Sequence, residues 1–168
     1  MNKTAKVALI AAFSVYVVLA STLIVYKYRI SPTNQTVLSA DSNYSLDLVN
    51  DERKLSGLKP LDWNNDLEKA ALGKAVDIFN KDYFAHTAPD GTKAWNFILT
   101  EGYSYKYAGE NLAVDFDNIN DAFEGWKNSP SHLKNIVSDK YEDYALVQKE
   151  GVLDGKNTIV FVQLFASK

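Results

Sequence analysis

The sequence contains no cysteine and only two histidines among 168 residues. Without thiols there are neither disulfides to brace a small exported fold nor thiolate ligands for a metal, so an exported part must stand on its hydrophobic core. A surplus of positive charge is missing as well. Residues 1–43 carry four basic groups and one acidic of the chain's 18 and 21, which leaves 14 and 20, a net of −6, for the remainder. That sign argues against nucleic acid as a partner. Apolar material is plentiful. Hydrophobic residues make up 46% and aromatic residues 12% of the chain, enough for one packed core and too little chain for two ordinary domains.

Charge is absent altogether from Val7 to Tyr26. A helix of that length, at about 1.5 Å rise per residue, spans roughly 30 Å, the hydrocarbon thickness of a bilayer. Residues 1–29 therefore read as a membrane anchor inserted through residues 7–26, a single pass with the domain outside the cytoplasm. Lys3 and Lys6 precede the run and Lys27 and Arg29 follow it, so flanking charge does not set the orientation. The rival reading is a signal peptide cleaved after Val18-Leu19-Ala20, giving a secreted protein. The apolar run continues through Leu23 to Val25, which favours the uncleaved anchor. Residues 30–43, rich in Ser, Thr, Asn and Asp, read as a linker.

From residue 44 to 168 the pattern is that of a single domain, expected to be monomeric. Ser45 is a plausible cap for a first helix stopped by Gly57, and Asn65 with Glu68 resembles a capping box for the next. The core face of that second helix is clear. Leu67, Ala70, Ala71, Ala75, Ile78 and Phe79 repeat at helical spacing, with Lys74 the one interruption. His86 sits just before the Pro89-Asp90-Gly91 turn signal, and Ala94, Phe97 and Ile98 form a short helix stopped by Gly102. Tyr103, Tyr105 and Tyr107 alternate, leaving one edge for exposure, and lead into Gly109-Glu110-Asn111. Ile119, Ala122, Phe123 and Trp126 make another helical face, which Pro130 ends; Ser129 or Ser131 then caps a new helix whose first turn holds His132. Tyr144 to Lys149 and Thr158 to Ala166 read as strands joined through Asp154-Gly155. The second strand is apolar on both faces and so is covered on both sides. Helices followed by such a hairpin predict an α+β fold, a three-layer α-β-α sandwich. Trp63, Trp95, Trp126, Phe123 and Phe165 are expected in its core.

Five stretches, LVNDERKLSGLKPLDWNNDLEKAA, YFAHTAPDG, GYSYKYAGENLA, GWKNSPSHLKNIV and FVQLFA, occur here in an order that resembles bacterial members of the CAP superfamily. It is also called the SCP or cysteine-rich secretory protein, antigen 5 and pathogenesis-related-1 domain. The resemblance covers residues 44–168 and implies the same α-β-α sandwich in a secreted or surface-anchored protein. It implies a cleft in which His86, Glu110 and His132 match two histidines and one acidic residue of the family's set. Ser129 stands where eukaryotic members carry a second glutamate.

Two imidazoles and a carboxylate suit a divalent cation such as Zn²⁺, with water completing the shell, and they equally suit a hydrogen-bonded structural cluster. Three function classes stay open. One is a binding module whose cleft takes a divalent cation, a small ligand, a lipid or a cell-wall component. Another is a metal-dependent or serine-type hydrolase, since protease activity has been proposed for some family members; Thr87, Ser129 and Ser131 lie near the histidines in sequence, but none sits in a nucleophile motif, so an enzyme is the weaker expectation. The third is a structural domain with an inert cleft.

Overall fold

The computed structural model describes residues 42–168 and the backbone of the pair 37–38. The expected anchor at 7–26, its signal-peptide rival and most of the linker lie outside the described residues. Among the described residues no helix is long and apolar enough to cross a membrane.

Among the described residues, five helices run in chain order: α1 (Ser42–Leu55), α2 (Asn65–Lys81), α3 (Ala94–Thr100), α4 (Ile119–Lys127) and α5 (Pro130–Ile136). The strands are β1 (Val37–Leu38), β2 (Asp62–Trp63), β3 (Tyr107–Val114), β4 (Asp143–Leu153) and β5 (Lys156–Ser167). They form one sheet in the order β1-β4-β5-β3, antiparallel throughout, with β2 adding parallel to β4. The long β4–β5 hairpin turns on Asp154 and Gly155, both at positive φ (49° and 71°), the geometry that matches a two-residue loop to the twist of its strands.

Side chains alternate across these strands, so two clusters form on opposite faces. Ala145, Val147, Val160, Val162, Leu164 and Ala166 pack under α2 and α3 through Leu67, Ala70, Ala71, Ala75, Ile78, Ala94 and Ile98. Tyr144, Leu146, Phe161 and Phe165 pack under α1, α4 and α5 through Val49, Ala122, Phe123, Trp126 and Ile136. The result is the expected three-layer α-β-α sandwich. Of the five aromatics expected in the core, Trp126, Phe123 and Phe165 are buried, whereas Trp63 and Trp95 pack against the clusters from partly exposed positions.

Several local expectations change. Helix α1 begins at Ser42, three residues before Ser45; Ser45 is buried inside it and donates back to the Ser42 carbonyl at 3.2 Å. Asn64 rather than Asn65 caps α2, its Oδ1 accepting from the Asp66 and Leu67 amides at 3.0 and 3.2 Å. Gly109-Glu110-Asn111 is strand, held by pairing with Phe165, Leu164 and Gln163, a long-range contact with no local signal. Within the expected linker, Val37 and Leu38 pair with Lys149 and Gln148. Tyr103 is buried and donates its hydroxyl to Asp143, so exposure among the alternating tyrosines falls to Tyr107.

Arg53 ties two parts of one outer layer together. Its buried guanidinium donates to the carbonyls of Lys59 (2.8 Å), Ile136 (3.0 Å) and Ser138 (2.6 Å), closing the ends of α1 and α5. Replacing it with Met keeps the bulk and strands these carbonyls, so Arg53→Met is expected to cost about 2–4 kcal/mol in urea unfolding. A loss below about 1 kcal/mol would show that the clamp contributes little.

Candidate functional site

Helix α2 ends at Asp82, a left-handed cap at φ 51° whose amide returns to the Ile78 carbonyl. The chain then enters a loop stapled by a bridge between Thr87 and Lys93 and by the Ala88 amide on the Thr92 carbonyl at 2.8 Å. His86 stands on this loop with 61% of its side chain exposed. Beneath it, Lys74 projects from α2 with 0% exposure, donating to the Tyr83 hydroxyl (2.8 Å), the Ala85 carbonyl (2.8 Å) and the His86 carbonyl (3.3 Å). The Tyr83 hydroxyl in turn donates to Asp77 Oδ2 at 2.7 Å.

Glu110 lies on β3, the terminal strand of the sheet, opposite Leu164 and on the same face as Leu112, so its side chain points toward α2. That side chain is 2% exposed, and its Oε1 lies 2.6 Å from His86 Nδ1. The neighbouring Asn111 points to the opposite face. There Asn111 Nδ2 donates to the His132 carbonyl (3.1 Å) and to Gln163 (2.8 Å), while Asn111 Oδ1 accepts from Asn135 at 2.8 Å. Gln163 continues the chain to the Tyr144 hydroxyl at 3.1 Å. Gly109 completes the triplet by making room. A Cβ there would lie 2.6 Å from the Tyr141 hydroxyl and 3.1 Å from Asn135 Oδ1.

A terminal strand needs partners for backbone groups that no further strand can pair. The carbonyls of Ala108, Glu110 and Leu112, alternate residues of β3, accept from Tyr141 (3.3 Å), Asn135 (3.2 Å) and Trp126 (3.0 Å). These side chains hold the layer containing α5 against the strand. Pro130 opens α5 after Ser129, which makes no side-chain capping bond, so His132 sits in the first turn as its spacing requires. The hydroxyls of Ser129 and Ser131 lie 3.2 Å apart.

The site thus wraps the terminal strand, with His86 and Glu110 on one side and the helix of His132 on the other. Electrostatics divides the histidines. The hydrogen bond to Glu110 raises the His86 pKa above its usual 6.5, against the opposing pull of burial and Lys74. Burial, and secondarily the charge of His86, lowers that of His132 below 6.5. Burial likewise lowers the Lys74 pKa, with Glu110 and then Asp77 attracting its charge. Two buried atoms, Glu110 Oε2 and His132 Nδ1, have no hydrogen-bond partner.

His86 and Glu110 are therefore in contact, and His132 lies within electrostatic reach of His86. Among the described residues no three His, Asp or Glu side chains are disposed to hold a metal ion. Of the expected trio, His86 and Glu110 bond each other through Nδ1 and Oε1, a contact that does not involve the other imidazole nitrogen, Nε2. Ser129 bonds its neighbour Ser131 rather than either histidine. Lys74, Asn111, Asn135 and Gln163 make contacts around the site that no motif in the sequence marks. Two of them left a trace there. Lys74 interrupts an apolar helical face, and Gln163 is the polar residue on a strand face shared with Ile159, Phe161 and Phe165.

The sequence pattern described as CAP, the cysteine-rich secretory protein family, matches residues 46–165. The chain belongs to that family. This CAP domain is 36% identical over 112 residues to the uncharacterized protein YkwD of Bacillus subtilis, covering 63% of this chain and 44% of that protein. It is 33% identical over 100 residues to the uncharacterized membrane protein YlbC of the same organism, covering 57% of this chain and 28% of the other. The match thus spans less than half the length of either relative. Among solved structures, an extracellular SCP-domain protein from Bacillus anthracis superposes with a TM-score of 0.65 at 26% identity, over 76% of this chain and 40% of that one. An outer surface protein of Borrelia burgdorferi superposes at 0.69 and 23% identity, over 80% and 98%, and shares the fold.

The pKa of His86 has a direct consequence for stability. Glu110 holds the imidazolium more tightly than the neutral ring, so the stabilisation is full below the unfolded value of 6.5 and is lost as pH rises through the higher folded value. His132 acts in the opposite sense, its lowered pKa costing stability as pH falls below 6.5. The stability difference between the native protein and Glu110→Gln is expected to be greatest near about pH 6 and to shrink toward about pH 9. A difference that stays constant across this range in parallel melts would remove the charged pair.

Proposed function

We propose that this CAP-domain protein is exported, stays membrane-anchored through residues 7–26, and uses the His86, Glu110 and His132 site to bind a small hydroxyl-bearing ligand such as a cell-wall glycan. The uncharged run at 7–26 supports the anchor, as do relatives described as extracellular, outer-surface and membrane proteins. The observation that carries the ligand reading is the pair of buried, unpartnered atoms, Glu110 Oε2 and His132 Nδ1, beside an exposed His86 ring. An unmatched buried polar atom costs about 1–3 kcal/mol. A hydroxyl both donates and accepts, so one ligand group satisfies a carboxylate oxygen and a sugar-like array reaches the imidazole as well.

The hydrolase reading ranks lower. A serine mechanism needs a hydroxyl bonded to a base, and among the described residues neither histidine ring bonds a hydroxyl, while Ser129 and Ser131 bond each other. The binding reading is tested by titrating an N-acetylglucosamine tetramer into the detergent-solubilised full chain, following both histidine ring signals by NMR together with the melting temperature. Both rings are expected to shift and the melting point to rise, with about 2.7 kcal/mol of added stability at a hundredfold excess over Kd, and Glu110→Gln should abolish both effects. Silence toward the glycan overturns the reading; a response to phosphatidylglycerol vesicles instead transfers the site to lipid, and a response to Zn²⁺ alone transfers it to metal.

A further inference from the structure

We propose that Asn111 is the positioning residue of His132, clamping the first turn of α5 to the terminal strand so that two consecutive residues, Glu110 and Asn111, set the placement of both histidines. A side-chain amide with no exposed surface inside a strand is costly unless its donors and its acceptor are met. Here they are met on three sides. Asn111 Nδ2 donates to the His132 carbonyl at 3.1 Å and to Gln163 Oε1 at 2.8 Å, and Asn111 Oδ1 accepts from Asn135 Nδ2 at 2.8 Å. A backbone carbonyl only accepts, so the amide has one workable orientation, with Nδ2 facing His132.

Little in the turn itself holds it. Helix α5 has seven residues, too few to be stable alone, and its N-cap Ser129 makes no side-chain bond to it. His132 Nδ1 is buried without a partner, so no bond at that atom aims the ring. The aim comes from the backbone, and Asn111 grips that backbone at His132. One turn on, Asn135 reaches back to the Glu110 carbonyl at 3.2 Å, and at the far end of the helix Arg53 holds the Ile136 carbonyl at 3.0 Å. Gln163, which donates to the Tyr144 hydroxyl at 3.1 Å, keeps the Asn111 amide from turning. On the other face of β3, Glu110 takes the His86 ring at 2.6 Å. On the binding reading above, on which this consequence rests, a ligand touching both rings meets a spacing fixed by one dipeptide.

The isostere Asn111→Asp separates the clamp from its surroundings. Its carboxylate still accepts from Asn135, Gln163 turns its amide to donate, and the Tyr144 hydroxyl donates to Gln163, so only the bond to the His132 carbonyl has no replacement. Gln163→Glu is the charge control, since it places a carboxylate beside Asn111 while every bond of Asn111 persists. In the ¹⁵N-histidine-labelled full chain, Asn111→Asp is expected to displace the His132 ring resonances, to leave the His86 Nδ1 resonance in its hydrogen-bonded position, and to weaken binding of the N-acetylglucosamine tetramer by about tenfold or more. Gln163→Glu should leave both rings and the glycan affinity near native. An Asn111 that only fills the core would lower the melting temperature without separating the two rings. His132 resonances in Asn111→Asp that match those of Gln163→Glu would overturn the proposal, as would an equal displacement of both rings. A native protein silent toward the glycan overturns the binding reading alone, and the ring resonances still decide the role of Asn111. Should Asn111→Asp fail to fold, the Asn111 side-chain amide protons of the native chain decide. Slow exchange with a nuclear Overhauser contact to His132 upholds the clamp, and exchange as fast as that of a surface amide overturns it.

Discussion

A carboxylate buried on the covered face of a sheet is costly unless donors or positive charge meet it, and the surroundings of Glu110 meet it at one oxygen. One oxygen takes the His86 ring at 2.6 Å, and the ammonium of Lys74 lies close enough to feel the charge. Lys74 also holds the backbone of the His86 loop through the Ala85 and His86 carbonyls, and so fixes the point from which the exposed imidazole extends. Remove the carboxylate and the His86 ring loses its partner, while Lys74 keeps its three acceptors. A buried ionic arrangement of this kind adds little net stability, since desolvation consumes much of the attraction, but losing one partner is expensive.

The terminal strand makes the arrangement two-sided. Alternation sends Glu110 toward α2 and Asn111 toward α5, so adjacent residues organise adjacent layers. On the second side the connections are neutral amides rather than ions. Buried Asn111 and Gln163 and half-buried Asn135 form a hydrogen-bonded chain that locks the carbonyl of His132, and Gly109 leaves the space in which Asn135 and Tyr141 reach the strand. Networks of this type specify one geometry because the donors and acceptors of all members are matched together. The outcome is two histidines of opposite electrostatic tendency within reach of one another, one favouring its proton and one resisting it.

Much of the architecture is legible in the residues because it has local causes. Pro130 forces a helix break and so places His132 in a first turn; the apolar spacing of α2 marks its buried face; Asp154-Gly155 marks the hairpin. The strand at Gly109 to Asn111 is not legible, since its partner β5 lies about fifty residues on and a glycine suggests a loop. The His86–Glu110 contact spans 24 residues and was approached through family resemblance, not spacing. Lys74 stood visible as an exception on an apolar face, yet its three acceptors come from a loop whose course no periodicity describes. Ser129 illustrates the converse, for a position matched to a family site residue here bonds its neighbour Ser131.

Whether buried Glu110 divides the two histidines is read most directly from a ¹⁵N ring titration of the native full chain. Two separate midpoints are expected, with His86 above 6.5 and His132 below it. Coincident midpoints, or the reverse order, would contradict it.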